Sequence, residues 1–357
     1  MATKKTTTNV PATTAEDKAL ARFADMMLAK IESIQNDWKK PWFSDSVDFG
    51  IMPQNIDGRL YNGMNAFMLL MLCEDKQYKT PIFVTFDRLA ALNYKDKKRA
   101  KADDDKALPF VNILKGESAF PVFLYMFTVK CIETGQKISY TEYKEMDADE
   151  RKGYNVFPSL RVYHVFNIDQ TNLKEARPEL YDSFVSKADK KGEAPATVTD
   201  EAGRFTFPKV DDMISTNGWV CPIHPTRGDS AYYSVTKDEV VIPLPEQFVN
   251  GEAFYSNLFH EMAHSTGANK PGRFNRFEGK DNKFGSHDYG REELVAEMTA
   301  ALVCHTYGFD NGIKDESAAY LKSWCKSIRE SPQFIKTVLM DVRKASSLIT
   351  ERIDTIV

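Results

Sequence analysis

No stretch of this 357-residue chain approaches the roughly 20 consecutive apolar residues of a membrane-spanning helix, so no membrane partner is expected. Cysteine is scarce as well. Cys73, Cys131, Cys221, Cys304 and Cys325 lie far apart with no CxxC pair, which argues against a disulfide framework and for reduced thiols. Neither sign of charge prevails: the net charge is −4, so no global attraction to nucleic acid or anionic lipid exists and any basic footprint must be local. The opening "MATKKTTTNVPATTAEDK" has no apolar h-region, and a cytoplasmic protein is expected. Histidine is also rare, with six in the whole chain, and two of these stand four residues apart.

What is present is a folded composition, 42% hydrophobic, in a chain too long for one core of ordinary size. Two domains of α+β class are expected. The Thr-rich residues 1–17 form a tail, 18–185 a first domain, 186–204 a polar, Gly- and Pro-punctuated linker, and 205–357 a second domain. Leu20, Phe23, Met27, Ile31 and Ile34 recur at helical spacing, predicting an amphipathic helix to about Trp38. "YNGMNAFMLLML" reads as a turn into a helix and "PIFVTFDRLAAL" as a strand into a helix. "PVFLYMFTVKCI" and "RVYHVFNI" read as strands, and "ISYTEYKEMDADERKGY" between them as a surface excursion. The second domain opens with short strands, including "AYYSV" and "EVVIPL" joined by a hairpin turn at "TKDE", and continues in helices.

The chemistry concentrates in "NLFHEMAHSTG", residues 257–267. Residues i and i+4 of a helix stand one above the other, so His260 and His264 can offer two imidazoles to one ion, while Glu261 sits about 100° round the helix, placed to act as a general base. The plain alternative is a helix face with two solvated histidines. A catalytic zinc takes three protein ligands and leaves a position open. Downstream, Glu293 and Glu297 are also four apart, among Leu294, Val295, Met298 and Leu302, and burying two carboxylates on an apolar helix calls for a cation or a hydrogen bond. Glu293 is the expected third ligand, with Glu297 accepting the ring N–H of a ligating histidine; the reverse assignment stays open, as does an exposed pair beside Arg291. Zn2+ is the expected metal, with Mn2+ or another divalent ion as alternatives. Tyr289, His287 and Tyr233 are candidates to stabilise an oxyanion. The strand "EVVIPL" either offers an edge to an extended peptide or is a hairpin covered by its neighbours.

"FHEMAHSTG", "GRFNR" and "YGREELVAEMTAAL", taken with "GRLYNGMNAFMLL", "TFDRLAAL", "LKGE" and "VFNIDQTN" in the first half, make the chain similar to ArdC-type antirestriction proteins from about Leu20 onward. The resemblance implies a single-stranded DNA-binding domain joined to a zincin-like metallopeptidase domain, carried by mobile elements and protecting incoming DNA from restriction, with an unknown protein substrate. Residue chemistry allows the first part: residues 76–101 carry eight basic side chains against two acidic, interleaved with Tyr78, Phe83, Phe86 and Tyr94. Lys79, Arg88, Lys97, Lys98 and Arg99, with Trp42, Tyr61 and Asn65, are the DNA-contact candidates; the plain alternative is a solvated charged loop. Two other readings remain at this stage: a DNA-binding shield whose metal site cuts nothing, and a cytoplasmic metallopeptidase that never touches DNA.

Overall fold

The computed structural model describes residues 14–35, 42–43, 49, 51–102, 108–147, 149–189, 198–199, 204–280, 286–309 and 320–356. Most of the expected tail, much of the expected linker and the side chain of Arg99 lie outside them.

Within the first half the order is α1 (Ala15–Gln35), β1 (Gln54–Asn55), α2 (Gly63–Lys76), β2 (Ile82–Val84), α3 (Phe86–Ala102), β3 (Phe120–Cys131), β4 (Lys137–Ile138), α4 (Tyr140–Glu145), β5 (Tyr154–Asn167), α5 (Leu173–Ala176) and α6 (Pro178–Ala188). The five strands form one sheet in the order β1-β2-β5-β3-β4, dominated by the long antiparallel pair β3 and β5, which runs from Phe120 opposite Val165 to Cys131 opposite Tyr154. Residues 140–147 and 149–153 lie at the surface, as their polarity predicts, with Ser139 closing a capping box on α4.

The second half runs β6 (Val198–Thr199), β7 (Phe205–Thr206), α7 (Pro208–Ser215), β8 (Ile223–Thr226), β9 (Tyr232–Ser234), β10 (Glu239–Pro243), α8 (Gly251–Ser265), α9 (His287–Thr306), α10 (Leu321–Glu330) and α11 (Pro332–Asp354). Here the structure decides between the two strand readings, for the covered one. "EVVIPL" is the middle strand of its sheet, parallel to β8 on one side and antiparallel to β9 on the other, so both its ladders are filled. The edge belongs to β9, because the parallel return of β10 onto β8 leaves the hairpin's first arm outermost.

Packing does not follow the sequence boundary. One core joins Phe23, Met27 and Ile31 of α1 and the apolar α2 to Leu294, Val295 and Met298 of α9, Trp324 of α10 and Ile335, Val338, Leu339 and Val342 of α11. The other surrounds α8 and takes Ala296, Ala300, Val303 and Cys304 from α9 and Ile349 and Ile353 from α11. Helices α9 and α11 thus serve both cores, α9 by being apolar on more than one stripe and α11 by its length. Among the described residues, no helix is long and apolar enough to cross a membrane.

Candidate metal centre

Helix α8 starts where Asn250 accepts a hydrogen bond from the Ala253 amide at 2.8 Å, and it buries Phe254, Leu258 and Met262 against the second core. That stripe fixes the rotation of the helix and turns His260, Glu261 and His264 toward α9. The chain then doubles back: the Phe274 amide donates to the Thr266 carbonyl and the Arg276 amide to the Gly267 carbonyl. At Gly267 a Cβ would come within 2.9 Å of the Phe277 ring, which accounts for glycine at this close crossing.

His260, His264 and Glu293 each turn a donor atom to one point. The two Nε2 atoms are 3.1 Å apart, His260 Nε2 lies 3.4 Å from one Glu293 oxygen, and His264 Nε2 lies 3.5 Å from the other. Ligands about 2.0–2.1 Å from a tetrahedral ion stand about 3.3 Å from one another, so the spacing of these donors suits a divalent metal. Charge points the same way. Glu261, Glu292, Glu293 and Glu297 are all buried here, and the buried guanidinium of Arg276 pairs with Glu292. Such an excess of buried negative charge favours a cation in their midst.

Each imidazole also has a carboxylate behind it. His260 Nδ1 is 3.4 Å from Glu297, and His264 Nδ1 is 3.4 Å from Glu292. Burial alone would favour a neutral His264, but Glu293, Glu292 and Glu261 push its pKa up to about 10. Burial likewise opposes ionisation of Glu292, and Arg276, bonded to it at 2.6 and 2.9 Å, overcomes that and holds the carboxyl down at about 2. Arg276 also donates to the Ala263 carbonyl and to Thr266 Oγ1, both at 2.8 Å, tying the end of α8 to α9.

Of the oxyanion candidates, Tyr289 lines the cavity and its hydroxyl is bonded to Glu293; burial and that carboxylate raise its pKa well above the usual phenol value. Tyr233 lines the same cavity from β9, but its hydroxyl donates to Asp238 at 2.7 Å. His287 is a correction. Its Nε2 is 3.0 Å from Ser327 Oγ, on α10, and its ring packs near Phe334, since a residue two positions before Tyr289 lies about 200° round the helix. The sequence reading did not assign Glu292 or the arginines of "GRFNR". Arg276 supports Glu292, and Arg273 pairs with Asp238 and donates to the Val220 carbonyl, fixing the turn beside β9. Two arginines three residues apart just after a glycine were the available signal.

The cavity over these residues measures about 480 Å3, with Tyr232 and Tyr233 of the edge strand on one wall and Glu261 and Tyr289 facing them. A buried H-E-x-x-H helix, a glutamate on a second helix and, among the described residues, an outermost strand lining the same cavity are the parts of a zincin. Residues 208–339 match the family model for zincin-like metallopeptidase, and residues 17–166 match the model for the N-terminal domain of anti-restriction factor ArdC. The chain thus has an N-terminal ArdC-type domain followed by a zincin-like domain. The chain is 22% identical over 329 residues to a DNA primase TraC of Escherichia coli, covering 91% of this chain and 26% of that protein. It therefore spans about a quarter of that relative's length. Crystal structures of the antirestriction protein ArdC from the R388 plasmid share its fold: the metal-free form at TM-score 0.61 and 24% identity over 95% of this chain and 98% of that one, the Mn(II)-bound form at 0.61 and 22% over 95% and 99%.

In the ArdC-type N-terminal domain the DNA-contact candidates fall in different places. Trp42 is fully buried and packs edge-on against Phe67, so its indole has no face for a base, because the apolar face of α2 claims it. Asn65 spends its amide on the Phe123 backbone, donating at 2.7 Å and accepting at 2.9 Å, which pins β3 to α2. Arg88 is paired with Asp57. Lys79, Lys97 and Lys98 are exposed, and Tyr61 is half-buried at the wall of a separate groove.

Proposed function

We propose that this chain is a metal-dependent peptidase of the ArdC type that also binds single-stranded DNA and protects incoming DNA of a mobile element from restriction. The observation that carries the enzymatic part is the burial of Glu261 beside three converging metal donors, because a purely structural site has no use for that carboxylate. His260, His264 and Glu293 would hold the ion, with Glu292 and Glu297 fixing the two imidazoles. Zinc suits the two nitrogens and one oxygen, and manganese, present in the R388 relative, is the alternative. When bound, the ion would supply Lewis acidity, bringing the pKa of a water toward neutrality. Glu261, on the wall of the same cavity, would accept a proton from the attacking water and pass it to the leaving amine. Tyr289, on the cavity wall beside Glu293, would donate a hydrogen bond to the oxyanion, and Tyr233 on the opposite wall is the alternative. The outer edge of β9 would pair with an extended segment of a protein substrate, aligning one peptide bond near the donors.

Metal content by mass spectrometry tests the site. Wild type and Glu261→Gln are expected to hold one equivalent, Glu261→Gln to have no hydrolysis, and His264→Ala to hold little. Hydrolysis that survives in Glu261→Gln would sink the mechanism. The DNA-binding part is tested by a salt-dependent shift of a labelled oligonucleotide, since each neutralised phosphate adds about 0.7 to the salt slope.

A further inference from the structure

The two faces of the β3–β5 pair have different fates. Residues directly opposite share a face, so one side carries Phe123, Phe127, Val129, Leu160 and Val162. These five side chains are covered: Phe123 and Val129 are buried, Leu160 and Val162 pack on the shared core, and Tyr140 of α4 stacks on Phe127 at 4.3 Å. The other side carries Val122, Leu124, Met126, Thr128 and Lys130 opposite Tyr163, Arg161, Ser159, Phe157 and Asn155. Beyond its buried root this side lies open, with Leu124, Met126 and Tyr163 more than a third exposed and Phe157 half exposed. No Asp or Glu occurs on it between Phe120 and Lys130 or between Asn155 and Val165. Lys130 Nζ sits 5.6 Å over the Phe157 ring, so cation and aromatic are already interleaved.

At its root this face runs into a groove of about 420 Å3, whose walls include Arg59 and Tyr61 from the loop before α2, Tyr163 from β5 and Arg343 from α11. Arg343 reaches the groove because Gly63 lets its stem cross the start of α2: a Cβ at Gly63 would come within 2.3 Å of the Arg343 Cβ. The groove has the volume of a site for flat, small-molecule-sized groups, which an unstacked base is and the wall of a duplex is not.

We infer that single-stranded DNA binds along this open face and enters the groove, its phosphates on Arg59, Lys130, Arg161 and Arg343 and its bases against Tyr163, Phe157 and Tyr61. The inference rests on the DNA-binding part of the proposed function and deepens it. The occupant follows from charge complementarity: four cations and three aromatic rings on a strip whose sheet face is free of acids match an unstacked polyanion. Because Arg343 lies on the last helix, the peptidase half of the chain supplies part of the DNA site.

The test is fluorescence anisotropy of a labelled oligothymidine with the full chain and three sets of variants: Arg161→Ala, Tyr163→Ala and Arg343→Ala singly, Tyr163→Phe, and Lys97→Glu with Lys98→Glu on α3. Circular dichroism and metal content check folding, and the substituted groove positions are exposed. Wild type is expected to bind, Tyr163→Ala to weaken binding about 5- to 100-fold, Tyr163→Phe to restore it, and each arginine variant to lower both affinity and salt slope. Wild-type binding that the groove variants leave unchanged, or that only the α3 pair reduces, would overturn the groove while the DNA-binding reading stands. Absence of wild-type binding would overturn both. Tighter binding of an RNA or an acidic peptide would overturn the assigned occupant.

Discussion

At the scale of single residues, the metal site depends on side chains that never touch an ion. Arg276 lies between Glu292, Thr266 and the last carbonyls of α8, and removing its charge would leave Glu292 buried against His264 without its cation. Arg276→Met is expected to cost about 3–5 kcal/mol in urea unfolding, the range for breaking a buried pair from one side. The pH dependence has a definite sign. Glu292 is held at about 2 in the folded state against an ordinary 4.5, so its contribution is fully present above 4.5 and lost as the pH falls from there toward 2. Glu292→Gln is expected to flatten the stability profile across that window, as acid titrations of wild type and variant would measure. The H-E-x-x-H geometry was legible because it is local: five consecutive residues on a helix settle it. Glu292 was not, since its role depends on Arg276, sixteen positions earlier, and on a reverse turn that no periodicity announces.

At the scale of elements, α8 is positioned by three features: its Asn250 cap, its apolar stripe and the hydrogen bond from Trp219 Nε1 to Ser265 Oγ at 2.9 Å. Asn250→Ala removes one of these, and about 1 kcal/mol of stability is expected to go, read by thermal unfolding, with metal content retained because the two histidines lie about three to four turns further on. Strand identity was readable from composition, and sheet order was not. "EVVIPL" has the residues of a good edge for a peptide, yet it returns alongside β8, which pairs on its far side and makes it central. Tyr232 and Tyr233 take the rim in its place, and the Tyr233 hydroxyl is engaged by Asp238, which Arg273 anchors.

At the scale of the whole molecule, the two families matched along the chain share a packed interior. Lys336 pairs with Glu16 and Arg329 with Glu32, which adds polar links between the last two helices and the first. A single cooperative unfolding transition is expected by calorimetry. Leu339→Ala, in the shared core, is expected to lower stability by about 2–5 kcal/mol and to move the signals of both halves together. Two separate transitions, with only one displaced, would mean that the cores are independent.

The amino-acid sequence by itself determined the elements that follow from neighbours along the chain: the amphipathic first helix, the strands of the long hairpin, and the face of α8 that carries His260, Glu261 and His264. The tertiary structure alone decided which distant groups meet them. It set Glu293 opposite the histidines and Glu292 behind one of them, buried Trp42, made β9 the edge, and carried Arg343 from the last helix into a groove of the first domain. The reason is physical: helix and strand periodicities act over a few residues, whereas sheet order, charge pairing and shared cores join residues tens to hundreds of positions apart, where the pattern of the chain holds no register.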